Sequence, residues 1–180
     1  MVVEAGPRRE QPVPTPPDVA AGEEPRLYLT CTMAGMSYLV PTGVVREVEE
    51  VGAVTPVPAT PQWLRGVMNL RGTIIAVIDL AHFLDLTAAP GHGAEALVCA
   101  LDDELTLALA VDTVSTIRTL TPTEILPLPE QAAGEMRAPV FQYLTGLYRV
   151  ALGDADGLLG VLDLAGLLQT LVTERLGVPG

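Results

Sequence analysis

Few side chains in this sequence could carry out a reaction. Its 180 residues include two serines, Ser37 and Ser115, two histidines, His82 and His92, and two cysteines, Cys31 and Cys99. Neither serine stands in the Gly-x-Ser-x-Gly setting that exposes a nucleophile. Neither histidine has a partner at the spacing a metal site requires. The cysteines lie in apolar runs and read as buried, reduced thiols. What remains is a pair of carboxylates: Asp79 and Asp163 occupy matching points of "VIDLAHFL" and "VLDLAGLL", and two acids that share a proton can activate water. A carboxylate-dependent hydrolase using Asp79 and Asp163 is therefore one expectation. Against it, neither acid is followed by the small-residue, glycine-containing turn such a pair needs. Each precedes an apolar helical stretch, where aspartate is a natural N-cap. "GDADG" lacks the downstream glutamate of a calcium loop, and no Gly-rich phosphate cradle or Cys-x-x-Cys is present. No cofactor and no metal are expected, and the residues describe a surface that binds.

Charge narrows what it could bind. There are 22 acidic residues and ten basic ones, all arginine, for a net charge of −12. Such a surface repels a phosphate backbone and an anionic membrane alike, so no nucleic-acid partner is expected. No apolar run approaches the roughly 20 residues that span a bilayer, and the amino terminus lacks the basic-then-apolar order of a secretion signal. No direct membrane insertion and a cytoplasmic location are expected. Partners should be proteins with neutral or basic contact surfaces.

The elements that must carry this surface are mostly short strands. Residues 1–25 are rich in proline, with Glu, Gln and Ala, and read as a flexible tail. In "RLYLTCTMA" the period is two: Leu27, Leu29, Cys31 and Met33 face one way, with Tyr28, Thr30 and Thr32 on a wetter face. "SYLVP" returns as a second strand. "TGVVREVEE" fits a helical turn leading into a strand, which the sequence alone leaves open. Thr60-Pro61 reads as cap and first position of a short helix "PQWLR" that stops at Gly66. In "VMNLRGTIIAVID" two residues, Arg71 and Gly72, separate two apolar runs, the pattern of a tight hairpin with Arg71 at its tip and its guanidinium free in water. "ALVCALD" and "ELTLALAVD" form a further hairpin, "TVSTIRTL" is a strand, and Thr121 to Glu124 has capping-box spacing. "PVFQYLTGLYRV" and "GLLGVL" are strands, and Asp163 caps the one longer helix, at the carboxyl end. There is an internal echo: Val45-x-x-Val48 and Val111-x-x-Val114 are each followed by a Thr-Pro segment, a strand pair and an Asp-Leu helix start. Short strands with frequent turns suggest small barrels or a sandwich.

The ordered combination of "VVREVEEVGAVTPVPATPQWLRGVMNLRGTIIAVIDLAHFL", "LALAVDTVSTIRTLTPTEILPLP", "YLTGLYRV" and "GVLDLAGLL" resembles the CheW family of bacterial chemotaxis coupling proteins, over residues 26 to 170 or so. The resemblance implies an all-β fold of two intertwined five-stranded, SH3/OB-like β-barrel subdomains with short helices and a C-terminal helix, filling residues 26–176 as a CheW-like domain. It implies no enzymatic activity and a scaffold role. The partners it implies are the regulatory domain of a CheA-type histidine kinase, the cytoplasmic tip of a methyl-accepting chemoreceptor, and other CheW-like domains. Carried over by position, the receptor and kinase interface would use Val44, Val45, Glu47 and Val48, with Asn69, Leu70, Arg71 and Gly72 at the hairpin. For the valines, ordinary core packing is the competing explanation. A self-assembling scaffold without a kinase partner is a further alternative.

Overall fold

Runs of Val, Leu, Ile, Thr and Ala broken every few residues by Gly, Pro or Asp favour short, paired strands over long helices. The computed structural model describes residues 24–86, 94–101, 105–129, 139–152 and 155–175. The expected tail over 1–25 lies almost wholly outside them, as do residues 87–93 and 102–104. The strands are β1 (Arg26–Met33), β2 (Met36–Pro41), β3 (Val45–Glu50), β4 (Leu64–Leu70), β5 (Thr73–Asp79), β6 (Glu95–Ala100), β7 (Thr106–Val111), β8 (Thr113–Leu120), β9 (Ile125–Leu126), β10 (Leu144–Leu152) and β11 (Ala155–Leu162). Helix α1 (Leu80–Phe83) follows β5, and α2 (Leu164–Thr170) follows β11 and continues as a π-helical turn over Leu171–Arg175. Among the described residues no helix is long and apolar enough to cross a membrane.

Two sheets form, ordered β8-β1-β2-β11-β10-β9 and β3-β6-β7-β5-β4. The order shows a duplication with exchanged parts. The first repeat supplies β1 to β5 and the second β6 to β8, β10 and β11. Each sheet takes the first hairpin of one repeat and the remaining strands of the other, with parallel seams β2–β11 and β5–β7 where they meet. The intertwined two-barrel architecture expected from the resemblance is thus observed, β9 being a two-residue addition. Register also corrects the echo. Val45 lies opposite Cys99 and Val114 lies opposite Cys31, so Val45 matches Val114 and not Val111.

Three apolar clusters hold this together. Tyr28, Leu39, Leu120, Val150, Leu159 and Val161 fill the first barrel, and Met68, Ile75, Val77, Ala96, Ala108 and Ala110 fill the second. A larger cluster shared by both sheets includes Met33, Ile78, Leu97, Leu109, Leu162, Leu164 and Leu167. Cys31 and Cys99 belong to this shared core, where burial pushes each thiol up to about 12 and keeps it neutral.

Several local expectations change in three dimensions. Strand β1 is not half-wet: Tyr28 and Thr30 are buried along with Leu29, Cys31 and Met33, because β1 sits between β8 and β2 with the shared core on one face and a barrel interior on the other. Leu27, at its outer end, is exposed. The segment "TGVVREVEE" is a 3-10 turn, Thr42–Val44, followed by a strand. "PVFQY" forms a 3-10 turn over Pro139–Tyr143, and the strand starts only after it. No helix forms at "PQWLR". Thr60 Oγ1 donates to Val57 O at 2.8 Å, Leu64 N closes a turn onto Pro61 O at 3.0 Å, and Leu64 already pairs with Ile78. Pairing with β5 takes these residues before a helical turn can propagate. Gly66 instead sits at a bulge in β4 beneath Thr55, whose backbone exchanges two hydrogen bonds with Val67 at 2.8 and 2.9 Å.

Candidate partner-binding site at the β4–β5 hairpin

The hairpin forms as its residue types require. Leu70 pairs with Thr73, leaving Arg71 and Gly72 in a two-residue turn with φ of 51° and 92°. Two positive φ values give the turn a twist that suits the flanking strands. Glycine adopts that conformation freely; arginine does so against its preference, and the turn is stabilised by Gly72 N donating to Asn69 Oδ1 at 2.7 Å. Asn69 and Gly72 thus build the bend, and Arg71 is displayed on it.

Arg71 is exposed but not free. Its side chain is 67% accessible, and its guanidinium donates to Glu47 Oε2 at 2.7 Å through Nη1 and to Glu49 Oε1 through Nη2. Glu47 and Glu49 stand two apart on β3, hence on one side of that strand. The sheet order places β3 and β4 at opposite edges, so this clamp closes the second barrel across a seam without backbone bonds. The Glu47 hydrogen bond, then the charges of Glu47 and Glu49, raise the Arg71 pKa above its ordinary value. The expectation of a guanidinium free in water is corrected to one neutralised on a wet surface. At the matching seam of the first barrel, Arg118 of β8 lies 5.9 Å from the ring centre of Tyr148 on β10.

The eight candidate residues therefore divide. Val44 and Val45 pack on the shared core and Leu70 on the second barrel's core. Asn69 and Gly72 shape the turn, while Glu47 and Arg71 make the clamp. Val48 remains as exposed apolar surface, 38% accessible. Ile74 of β5, opposite Asn69, is 63% accessible and was not among the candidates. Both have counterparts in the other barrel. Ile117, three residues past Val114, is 63% exposed, and Leu158, five residues before Asp163 as Ile74 is before Asp79, is 57% exposed. Glu49 was also missed, although its period-two relation to Glu47 is visible in the sequence.

A separate apolar groove of about 600 Å³ runs along the first barrel, between Met36, Tyr38, Phe141, Leu147, Leu158 and Leu86, which follows α1. None of the eight candidates lines it.

The two aspartates are explained without chemistry. Asp79 Oδ1 accepts His82 N and Asp163 Oδ1 accepts Gly166 N, each at 3.0 Å. The backbone N of Asp79 donates to Trp63 O, and that of Asp163 to Tyr143 O, each at 2.7 Å. Phe83 lies between those aromatics, edge-on to Trp63 with ring centres 5.6 Å apart and tilted against Tyr143 at 6.0 Å, so the paired corners are a shared structural joint. Among the described residues no three His, Cys, Asp or Glu side chains gather as a metal site. Asparagine keeps a capping oxygen, so Asp79→Asn and Asp163→Asn are each expected to cost less than about 1 kcal/mol, and Asp163→Ala about 1 kcal/mol. Urea melts measure this; a loss of several kcal/mol for either Asn variant would rule out a simple cap.

With this geometry in place, comparison with known proteins is decisive. The family model described as a CheW-like domain matches residues 27–172. The chain belongs to the CheW-like family. Protein FrzA of Myxococcus xanthus is 31% identical over 153 residues, covering 84% of this chain and 91% of that protein. The chemotaxis protein CheW of Klebsiella aerogenes is 31% identical over 144 residues, 79% of this chain and 81% of its own length. In fold, the crystal structure of the scaffolding protein TtCheW from Thermoanaerobacter tengcongensis superposes with a TM-score of 0.63 at 20% identity, over 91% of this chain and 93% of that one. The CheW-like fold explains the exchange of strands between repeats and places Asn-Leu-Arg-Gly at the rim of one barrel.

Proposed function

We propose that this chain is a non-enzymatic adaptor in chemotaxis-like signalling, coupling the cytoplasmic tips of methyl-accepting receptors to the regulatory domain of a CheA-type histidine kinase. The observation that carries this reading is the duplicated pattern of exposed apolar residues. A bridge needs two surfaces, and the fold offers exposed apolar residues at matching strand positions: Val48 on β3 and Ile74 on β5, in the barrel that carries the Arg71 clamp, and Ile117 and Leu158 in the other. The first, with its ion-paired rim, suits a helix from a receptor hairpin. The second, which repeats the first in a pseudo-symmetric frame, suits a partner of the same fold, as the kinase's regulatory domain is in this family. Membership of the CheW-like family and likeness to proteins named for chemotaxis and scaffolding support the same conclusion. The work site would be the cytoplasmic face of receptor assemblies.

Size-exclusion chromatography of the full chain with a receptor-tip fragment and the kinase regulatory domain tests this. A three-component peak is expected, with each partner also binding alone. Retention of the receptor fragment while the kinase domain stays free, with the chain forming its own oligomers, would replace the coupling role with a self-assembling scaffold.

A further inference from the structure

We infer that Arg46 is the cation this site offers to a carboxylate on the docked receptor helix, a role that rests on the docking function proposed above. Val45 lies opposite Cys99 and Glu47 opposite Val98, so one step on β6 matches two on β3, and Arg46 is the extra residue of a bulge. Bulges re-aim side chains at sheet edges. Arg46 is exposed and lines a hollow of about 180 Å³ together with Glu47, Leu70, Arg71 and Val98.

The two arginines of this hollow differ in one respect. Arg71 is held by two glutamates, whereas Arg46 carries no ion pair or side-chain hydrogen bond among the described residues. Glu50, exposed on the same strand, is positioned opposite Glu95 and makes no bond to Arg46. An acid on the partner would have to draw Arg71 away from two carboxylates, but it reaches Arg46 without competition. In a chain of net charge −12 whose cations are few, an exposed guanidinium with no carboxylate on it, in a hollow lined also by Leu70 and Val98, defines a specific contact. The partner it fits is an amphipathic helix with an Asp or Glu flanking its apolar stripe.

The test is isothermal titration of the full chain with a soluble receptor-tip fragment, a helical hairpin, at two salt concentrations, with thermal melts confirming that each variant is folded. Arg46→Gln is expected to weaken binding about fivefold to tenfold and to flatten its salt dependence, Arg46→Glu to weaken it further, and Arg46→Lys to stay within about threefold of the parent. Parental affinity for Arg46→Glu, or an unchanged salt dependence for Arg46→Gln, would overturn the assignment. If Arg46 variants bind normally while Val48→Asp does not, only this inference fails. If the parent chain binds no fragment, the docking role fails with it.

Discussion

Gly66→Ala is expected to destabilise the protein by about 3 kcal/mol or more, enough to lower the melting temperature by roughly 10 °C in a domain of this size. Gly66 has φ of 138°, a region that side chains seldom adopt. An added Cβ would lie 2.1 Å from Thr55 O, 2.7 Å from Thr55 C and 2.9 Å from Pro56 Cα. All three are main-chain atoms, and Thr55 is fixed by its two bonds to Val67, so the neighbour cannot rotate away. Two other glycines grade the effect. Gly72→Ala meets nothing within 4 Å but has φ of 92°, so only backbone strain of about 1 kcal/mol is expected. Gly146, the counterpart of Gly66 at the β10 bulge, lacks the positive φ, and its Cβ would meet Ile125 Cγ2 at 2.5 Å and Leu126 O at 2.7 Å. Its cost should fall between the two. Calorimetry of the three variants checks the order; equal values for Gly66→Ala and Gly72→Ala would mean that the Thr55 crossing yields.

Arg71→Glu is expected to reduce capture of a receptor-tip fragment at least about tenfold while leaving the far-UV spectrum and the melting midpoint close to the parent. The substitution sets a third carboxylate against Glu47 and Glu49, which repels β3 from the hairpin rim and removes the fork that spans them. Because the clamp is on the wet surface and the barrel core of Met68, Ile75 and Val77 is untouched, the loss should fall on recognition more than on folding. Val48→Asp, which removes exposed apolar surface without touching the clamp, should weaken capture independently. Combining Arg71→Glu with Glu47→Arg separates two roles. Recovery of binding would show that Arg71 acts by holding the rim closed, and no recovery would show that the partner touches its guanidinium. Surface plasmon resonance on the single and double variants provides the comparison. Full capture by both Arg71→Glu and Val48→Asp would move the receptor site elsewhere, the groove along Met36 and Phe141 being the next place to look.

What the sequence revealed depended on how local the cause was. The bend at Arg71-Gly72 and the capping roles of Asp79, Asp163 and Glu124 involve residues within three positions of one another, and each took the expected geometry; Glu124 Oε2 accepts Thr121 N at 2.8 Å. The family signature carried the two-barrel architecture further than periodicity could. Misreadings arose where distant chain decided the matter. Alternation in β1 implied a wet face, but strands from the other repeat cover it. "PQWLR" has helical punctuation, yet β5 claims Leu64 as a strand partner. The bulge at Arg46 and the binding of Arg71 by Glu49 depend on register across β6 and on closure of a barrel, neither of which is written in a window of neighbouring residues.

The trading of strands between repeats has a consequence for assembly of the chain itself. Because β1 and β2 must wait for β8, β10 and β11, while β4 and β5 must wait for β6 and β7, neither barrel can be completed by an uninterrupted stretch of polypeptide. Folding must close long loops before most of its reward arrives, which makes it slow for its size and all-or-none. A cut between the repeats should therefore yield two fragments that are each unstructured alone and regain shape only when mixed.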